Sequence, residues 1–132
     1  MPNRFLILLV EDNADDEDLT RLALRKKASQ IRVEVARDGF EAIKRLTDSS
    51  ATLPNLVLLD LNLPKISGLE VLTRLRENKR TTDLLVIVLS SPYEPDDLRA
   101  AYKRLANGSI EKPITYEAIQ EILKSLDFDD VH

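Results

Sequence analysis

Apolar runs and helical periodicities alternate along this chain from one end to the other. "RFLILLVED", "QIRVEVAR", "NLVLLDL", "DLLVIVLS" and a short "SIEK" predict five strands. Between them, Leu98, Ala101, Tyr102 and Leu105 fall at i, i+3, i+4 and i+7, as do Ile119, Ile122, Leu123 and Leu126. On that spacing Tyr102 reads as a core tyrosine. Leu19, Leu22 and Ala23 begin the same kind of stripe in a first helix, and Leu69, Leu72 and Leu75 mark one face of a third. Asp38 and Glu41 in "DGFE" have the spacing of a capping box and open the second. The closing "DFDDVH" reads as a frayed acidic end.

Five strands alternating with five helices predict a mostly parallel sheet with helices on both faces. Right-handed crossovers leave few topologies, and a flavodoxin-like doubly wound α/β fold with strand order 2-1-3-4-5 is the natural one. The second strand alternates Ile31, Val33 and Val35 with Arg32 and Glu34, which suits an edge, whereas the third and fourth are apolar throughout. The 132 residues suit one domain over 1–132 with a core over about 4–126 and no output domain.

Composition narrows the chemistry. No stretch of eighteen apolar residues exists, so no membrane partner is expected, and Phe5–Val10 reads as a strand rather than a signal peptide. There is no cysteine, which removes disulfides and thiolate chemistry and makes the cytoplasm the default location. The single histidine is the last residue, His132, a poor place for a catalytic base. Net charge is −4 without a basic stripe, so nucleic acid is not an expected partner.

Polar residues collect just past the strands: Glu11 and Asp12 after the first, Asp60 after the third, Ser90 and Ser91 after the fourth, Lys112 after the fifth. In a parallel sheet these ends share one edge, where ligands of open α/β sheets bind. Carboxylates brought together there repel one another unless a cation compensates. All-oxygen donors point to a hard cation, and Mg²⁺ suits one or two carboxylates plus phosphate oxygens. Lys112 and Ser90 suit phosphate, and a nucleophilic carboxylate completes the set that aspartyl phosphorylation uses.

These residues resemble the receiver domain of two-component response regulators over nearly the whole chain. "LLVEDN" carries the acidic pair, "LLDLNLPKISG" carries Asp60 with Asn62, Pro64 and Gly68 at the family's offsets, "VIVLSS" carries Ser90 and "EKP" carries Lys112. The wording is similar in particular to single-domain receivers related to cyanobacterial phytochrome response regulators. The resemblance implies a phosphoryl relay in which a histidine kinase, phytochrome-linked in that subgroup, phosphorylates Asp60. It implies Mg²⁺ held by Asp12, Asp60 and the backbone carbonyl of Asn62, with Glu11 acting through water. Ser90 and Lys112 would bind phosphate oxygens, and Lys112–Pro113 would be cis. Output would be a surface change read by a downstream protein partner, or by a second copy in a homodimer, through the fourth helix, fifth strand and fifth helix.

Two departures matter. Ser109 stands three residues before Lys112, where receivers usually carry a switch aromatic, and Pro92 stands two residues after Ser90, where longer polar side chains are common. Ser67 replaces the usual acid before Gly68 and reads as a helix cap. Two alternatives stay open: a degenerate receiver acting as a constitutive binding module, and a phosphatase with an aspartate nucleophile. The second needs an acid two residues after Asp60, where this chain has Asn62.

Overall fold

A computed structural model of the chain describes residues 4–27 and 29–126. The expected acidic end and His132 lie outside the described residues. The elements are β1 (Phe5–Val10), α1 (Ala14–Leu24) running into a 3₁₀ turn (Arg25–Lys27), β2 (Ile31–Ala36), α2 (Gly39–Thr47) and β3 (Leu56–Asp60). There follow α3 (Gly68–Glu77), β4 (Val86–Ser90), α4 (Pro95–Lys103), β5 (Gly108–Glu111) and α5 (Tyr116–Ser125). The strands pair in parallel in the order β2-β1-β3-β4-β5.

The period-2 geometry of a strand divides each apolar run between two cores. Leu8, Val10, Val57, Leu59, Val86 and Val88 pack on one face with Leu46 of α2, Val71, Leu72 and Leu75 of α3 and Ala101 of α4. Their sequence neighbours Ile7, Leu9, Leu56, Leu58, Ile87 and Leu89 pack on the other with Ala23 and Leu24 of α1 and Ile119 and Leu123 of α5. Every residue of β3 and β4 is buried, so these strands carry no solvent-facing position until they end.

Four helices start on a side-chain cap that satisfies an orphan backbone donor. Asn13, Asp38, Ser67 and Thr115 accept from the N–H three residues on. Glu41 returns the bond to the Arg37 N–H at 3.3 Å, one residue outside the reciprocal box. Helix α4 differs: Glu94 makes no capping bond and Pro95 supplies the first helical position instead.

Two helix faces depart from the sequence expectation. On α1 the sheet side is Glu17, Thr20, Ala23 and Leu24, while Leu19 and Leu22 are 41% and 55% exposed. Glu17 tolerates burial because Arg37 and Arg21 both bond its carboxylate, holding it below its ordinary range. On α4 only Ala101 is buried; Tyr102 is 46% and Leu105 67% exposed. Tyr102 leans over the outer strand β5, and its hydroxyl lies 2.9 Å from Ser109 Oγ. A serine has no side chain large enough to cover the ring, so the tyrosine is not a core residue. Leu105 lies beyond the helix end in the left-handed region (φ 67°).

The strand starts opposite the site are tied by Arg76. Its Nε and Nη2 bond the Leu105 carbonyl at 3.1 and 2.9 Å. Nη1 reaches the carbonyls of Thr81, Thr82 and Leu84, and Nη2 also bonds Asn107 Oδ1. Asn107 Oδ1 in turn accepts from the Val86 N–H at 2.8 Å.

Candidate functional site

The carboxyl ends of the strands open into a cavity of about 230 Å³. Glu11, Asp12, Asp60, Asn62, Ser90 and Lys112 all line it, as do Asn13, Asp16, Ser91, Glu94 and Asp97. The convergence follows from topology. Parallel pairing sets Val10 beside Leu59 and Asp60 beside Leu89, so the next residues of β1, β3 and β4 emerge together. Lys112 is fixed by its backbone N–H, which donates to the Ser90 carbonyl at 2.9 Å.

Lys112 Nζ lies at the centre, 2.9 Å from Asp60 Oδ2, 2.8 Å from Asp16 Oδ2 and 2.9 Å from Glu11 Oε1. Burial alone would lower this ammonium, but its contacts with Asp16, Asp60 and Glu11 outweigh that and raise it. Asp60 is 4% exposed; its Oδ1 accepts from the Asn62 N–H at 3.0 Å. Glu11 is fully buried. Burial, then its contact with Asp60, pushes the Glu11 carboxyl up to about 7 against the pull of Lys112. Glu11 Oε2 accepts from the Asn13 N–H at 3.3 Å, and Oε1 is paired with the Lys112 ammonium.

The loop after β3 is shaped by close approach. A Cβ on Gly68 would lie 2.3 Å from the Asp60 carbonyl oxygen and 2.6 Å from Leu61 Cα, so only glycine lets α3 begin against the end of β3. Lys65, in the left-handed region at φ 67°, reaches Asp38 at the start of α2 with Nζ–Oδ2 3.2 Å. The Lys112–Pro113 bond is cis, as the resemblance implies.

Glu11, Asp12 and Asp60 each offer an oxygen, and these atoms lie within 4.8 Å of one another. Three carboxylates at this spacing, two of them buried and with only oxygen donors beside them, fit a hard divalent ion. Asp16, which pairs with Lys112, was missed by sequence reading. It sits in the acidic run Asp15–Asp18, and only the phase of α1 singles it out; the cap at Asn13, three residues earlier, was the available signal. Glu94 and Asp97 were missed for the same reason, since they belong to a helix start rather than a strand end.

Comparison with known proteins agrees with this geometry. The family model for the response regulator receiver domain matches residues 7–124. The chain belongs to the response regulator receiver family. This receiver is 36% identical over 125 residues, 92% of its length, to the probable methanogenesis regulatory protein FilR2 of Methanothrix harundinacea, covering 81% of that protein. It is 35% identical over 111 residues to the response regulator Rcp1 of Synechocystis, covering 81% of this chain and 76% of Rcp1. A crystal structure of the Mn²⁺-bound form of Rcp1 superposes with a TM-score of 0.76 over 92% of this chain and 91% of that one. The bacteriophytochrome response regulator AtBRR superposes at 0.82 with 36% identity over 96% of this chain and 95% of that one. The receiver therefore has the flavodoxin-like fold of phytochrome-type response regulators and is a two-component signalling protein. Phosphorylation and an acidic pocket for Mg²⁺ or Mn²⁺ are typical of its family.

Proposed function

We propose that Asp60 is the phosphoacceptor and that a histidine kinase, of the kind that partners phytochrome-type regulators, supplies the phosphoryl group. One observation carries the assignment: Lys112, directly after β5, lies 2.9 Å from Asp60 at the end of β3, in a cavity that Ser90 of β4 also lines. Asp12 and Asp60, with Glu11 and the Asn62 backbone carbonyl, would hold Mg²⁺. When bound, the ion offsets negative charge on the phosphoryl oxygens. Ser90 donates a hydroxyl and Lys112 an ammonium to those oxygens, and the two orient the group for transfer. Such transfer needs positioning and electrostatics rather than an external base. The protein's own chemistry is then self-phosphorylation and slow autodephosphorylation, not turnover of an external substrate, and it operates in the cytoplasm.

The output surface of this reading is α4, β5 and α5. It carries exposed Tyr102 on α4, with Tyr93 before that helix and Leu105 after it also exposed, and would meet a downstream protein or a second copy of the chain.

Intact-mass analysis after incubation with acetyl phosphate tests the site. The wild type should gain one phosphoryl group with Mg²⁺ and none in chelator, and Asp60→Asn should gain none. An adduct retained by Asp60→Asn at wild-type level would overturn the assignment.

A further inference from the structure

The cavity is more acidic than a metal centre requires. Six carboxylates line it, from Glu11, Asp12, Asp16, Asp60, Glu94 and Asp97, and Lys112 is the one cation among the described lining residues. Glu11, Asp12 and Asp16 come from the β1 side. Glu94 and Asp97 come from the start of α4, beyond β4, so strand order places Asp60 between the two groups. Contact with Asp97 raises the Glu94 carboxyl, and the charge on Asp60 adds to the rise, so these groups feel one another across the cavity. Glu94 is exposed, caps nothing by its side chain, and has no ion-pair partner among the described residues. Asp97 also complements the dipole at the start of α4, but Glu94, outside that first turn and capping nothing, is explained by neither the helix nor the metal triad.

We infer that Glu94 and Asp97 form an anionic rim that sets phosphodonor preference, disfavouring small doubly charged acyl phosphates relative to nitrogen-linked donors. This rests on Asp60 being the phosphoacceptor. In each reaction an Asp60 oxygen forms the new bond to phosphorus. With acetyl phosphate the P–O bond breaks and acetate leaves with the electron pair. With phosphoramidate the P–N bond breaks and its nitrogen leaves as ammonia. At neutral pH acetyl phosphate carries two negative charges and phosphoramidate a net one, so fixed anions at the mouth repel the first more strongly. A phosphorylated histidine ring is delivered by protein contact and is less exposed to this penalty. The rim makes the receiver answer its kinase rather than the acyl phosphates of metabolism.

Phosphorylation rates with the two donors, at saturating Mg²⁺ and low and high salt, test this on the full chain. Removing the rim charges should raise the acetyl phosphate to phosphoramidate rate ratio about threefold in Glu94→Gln and about tenfold in Glu94→Gln/Asp97→Asn. Glu94→Lys should exceed Glu94→Gln, and the gains should shrink at 0.5 M salt, where screening acts over only a few ångströms. An unchanged ratio across the series, or a change indifferent to salt, overturns the rim while leaving Asp60 in its role. Absence of an adduct from either donor in the wild type overturns the underlying site reading as well.

Discussion

Glu11 shows how burial sets the character of a single residue. Its carboxyl ordinarily titrates at 4.5 and in the fold at about 7, because burial and Asp60 disfavour its charge more than Lys112 favours it. Between those values the folded protein holds a proton that the unfolded chain has lost, so stability falls as pH rises through that window and levels off above it. In metal-free buffer, urea midpoints measured from pH 4.5 to 7.5 should show this decline beyond that of a Glu11→Gln variant, which lacks the titrating group. Equal slopes for the two proteins would mean that Glu11 is not perturbed. Glu11 and Asp60 were legible in the sequence because each is an acid directly after an uninterrupted apolar strand, where nothing else explains it. Asp16, which holds the same lysine as tightly, was hidden among Asp15, Glu17 and Asp18, and only helix phase distinguishes it.

The elements were less legible than the residues at strand ends. A strand's two faces are assigned by alternation, and here both are apolar, so no phase error was possible in β3 or β4. A helix must be phased, and α1 turns a glutamate rather than two leucines toward the sheet because two arginines neutralise it. Helix α4 deceived differently: its apparent stripe runs past the helix end into Leu105, whose left-handed backbone is held by the fork of Arg76. That guanidinium joins α3 to the segments entering β4 and β5: its six hydrogen bonds reach four main-chain carbonyls and the Asn107 side chain, in the α3–β4 and α4–β5 connections. Arg76→Ala should cost about 2–4 kcal/mol by urea denaturation, since it strands several carbonyls at once. Arg76→Lys should recover less than half of the loss, because an ammonium cannot reproduce a planar fork. A variant within about 0.5 kcal/mol of wild type would show that water replaces the arginine without penalty.

At the scale of the molecule, the sheet gathers its acids at one edge, and their mutual repulsion opposes the fold. A cation bound only by the folded state should offset it. At a hundredfold excess over its dissociation constant, Mg²⁺ should add about 2.7 kcal/mol and raise Tm by roughly 10 °C, whereas Asp12→Asn should lose most of that gain. An equal rise with NaCl at matched ionic strength would point to general screening instead of a bound ion. The five-stranded order itself was legible because the lengths and apolarity of the strands leave one economical winding, and structure agrees with it.

The hydroxyl contact between Tyr102 and Ser109 also has a practical consequence. The chain contains no tryptophan and only three tyrosines. Tyr93 is 89% exposed, and the Tyr116 ring lies under the Lys26 ammonium, 4.7 Å from its centroid. Tyr102 alone of the three has its phenol bonded to the sheet, so in a Tyr93→Phe/Tyr116→Phe background its ultraviolet emission would gauge whether α4 rests on β5, without an attached dye.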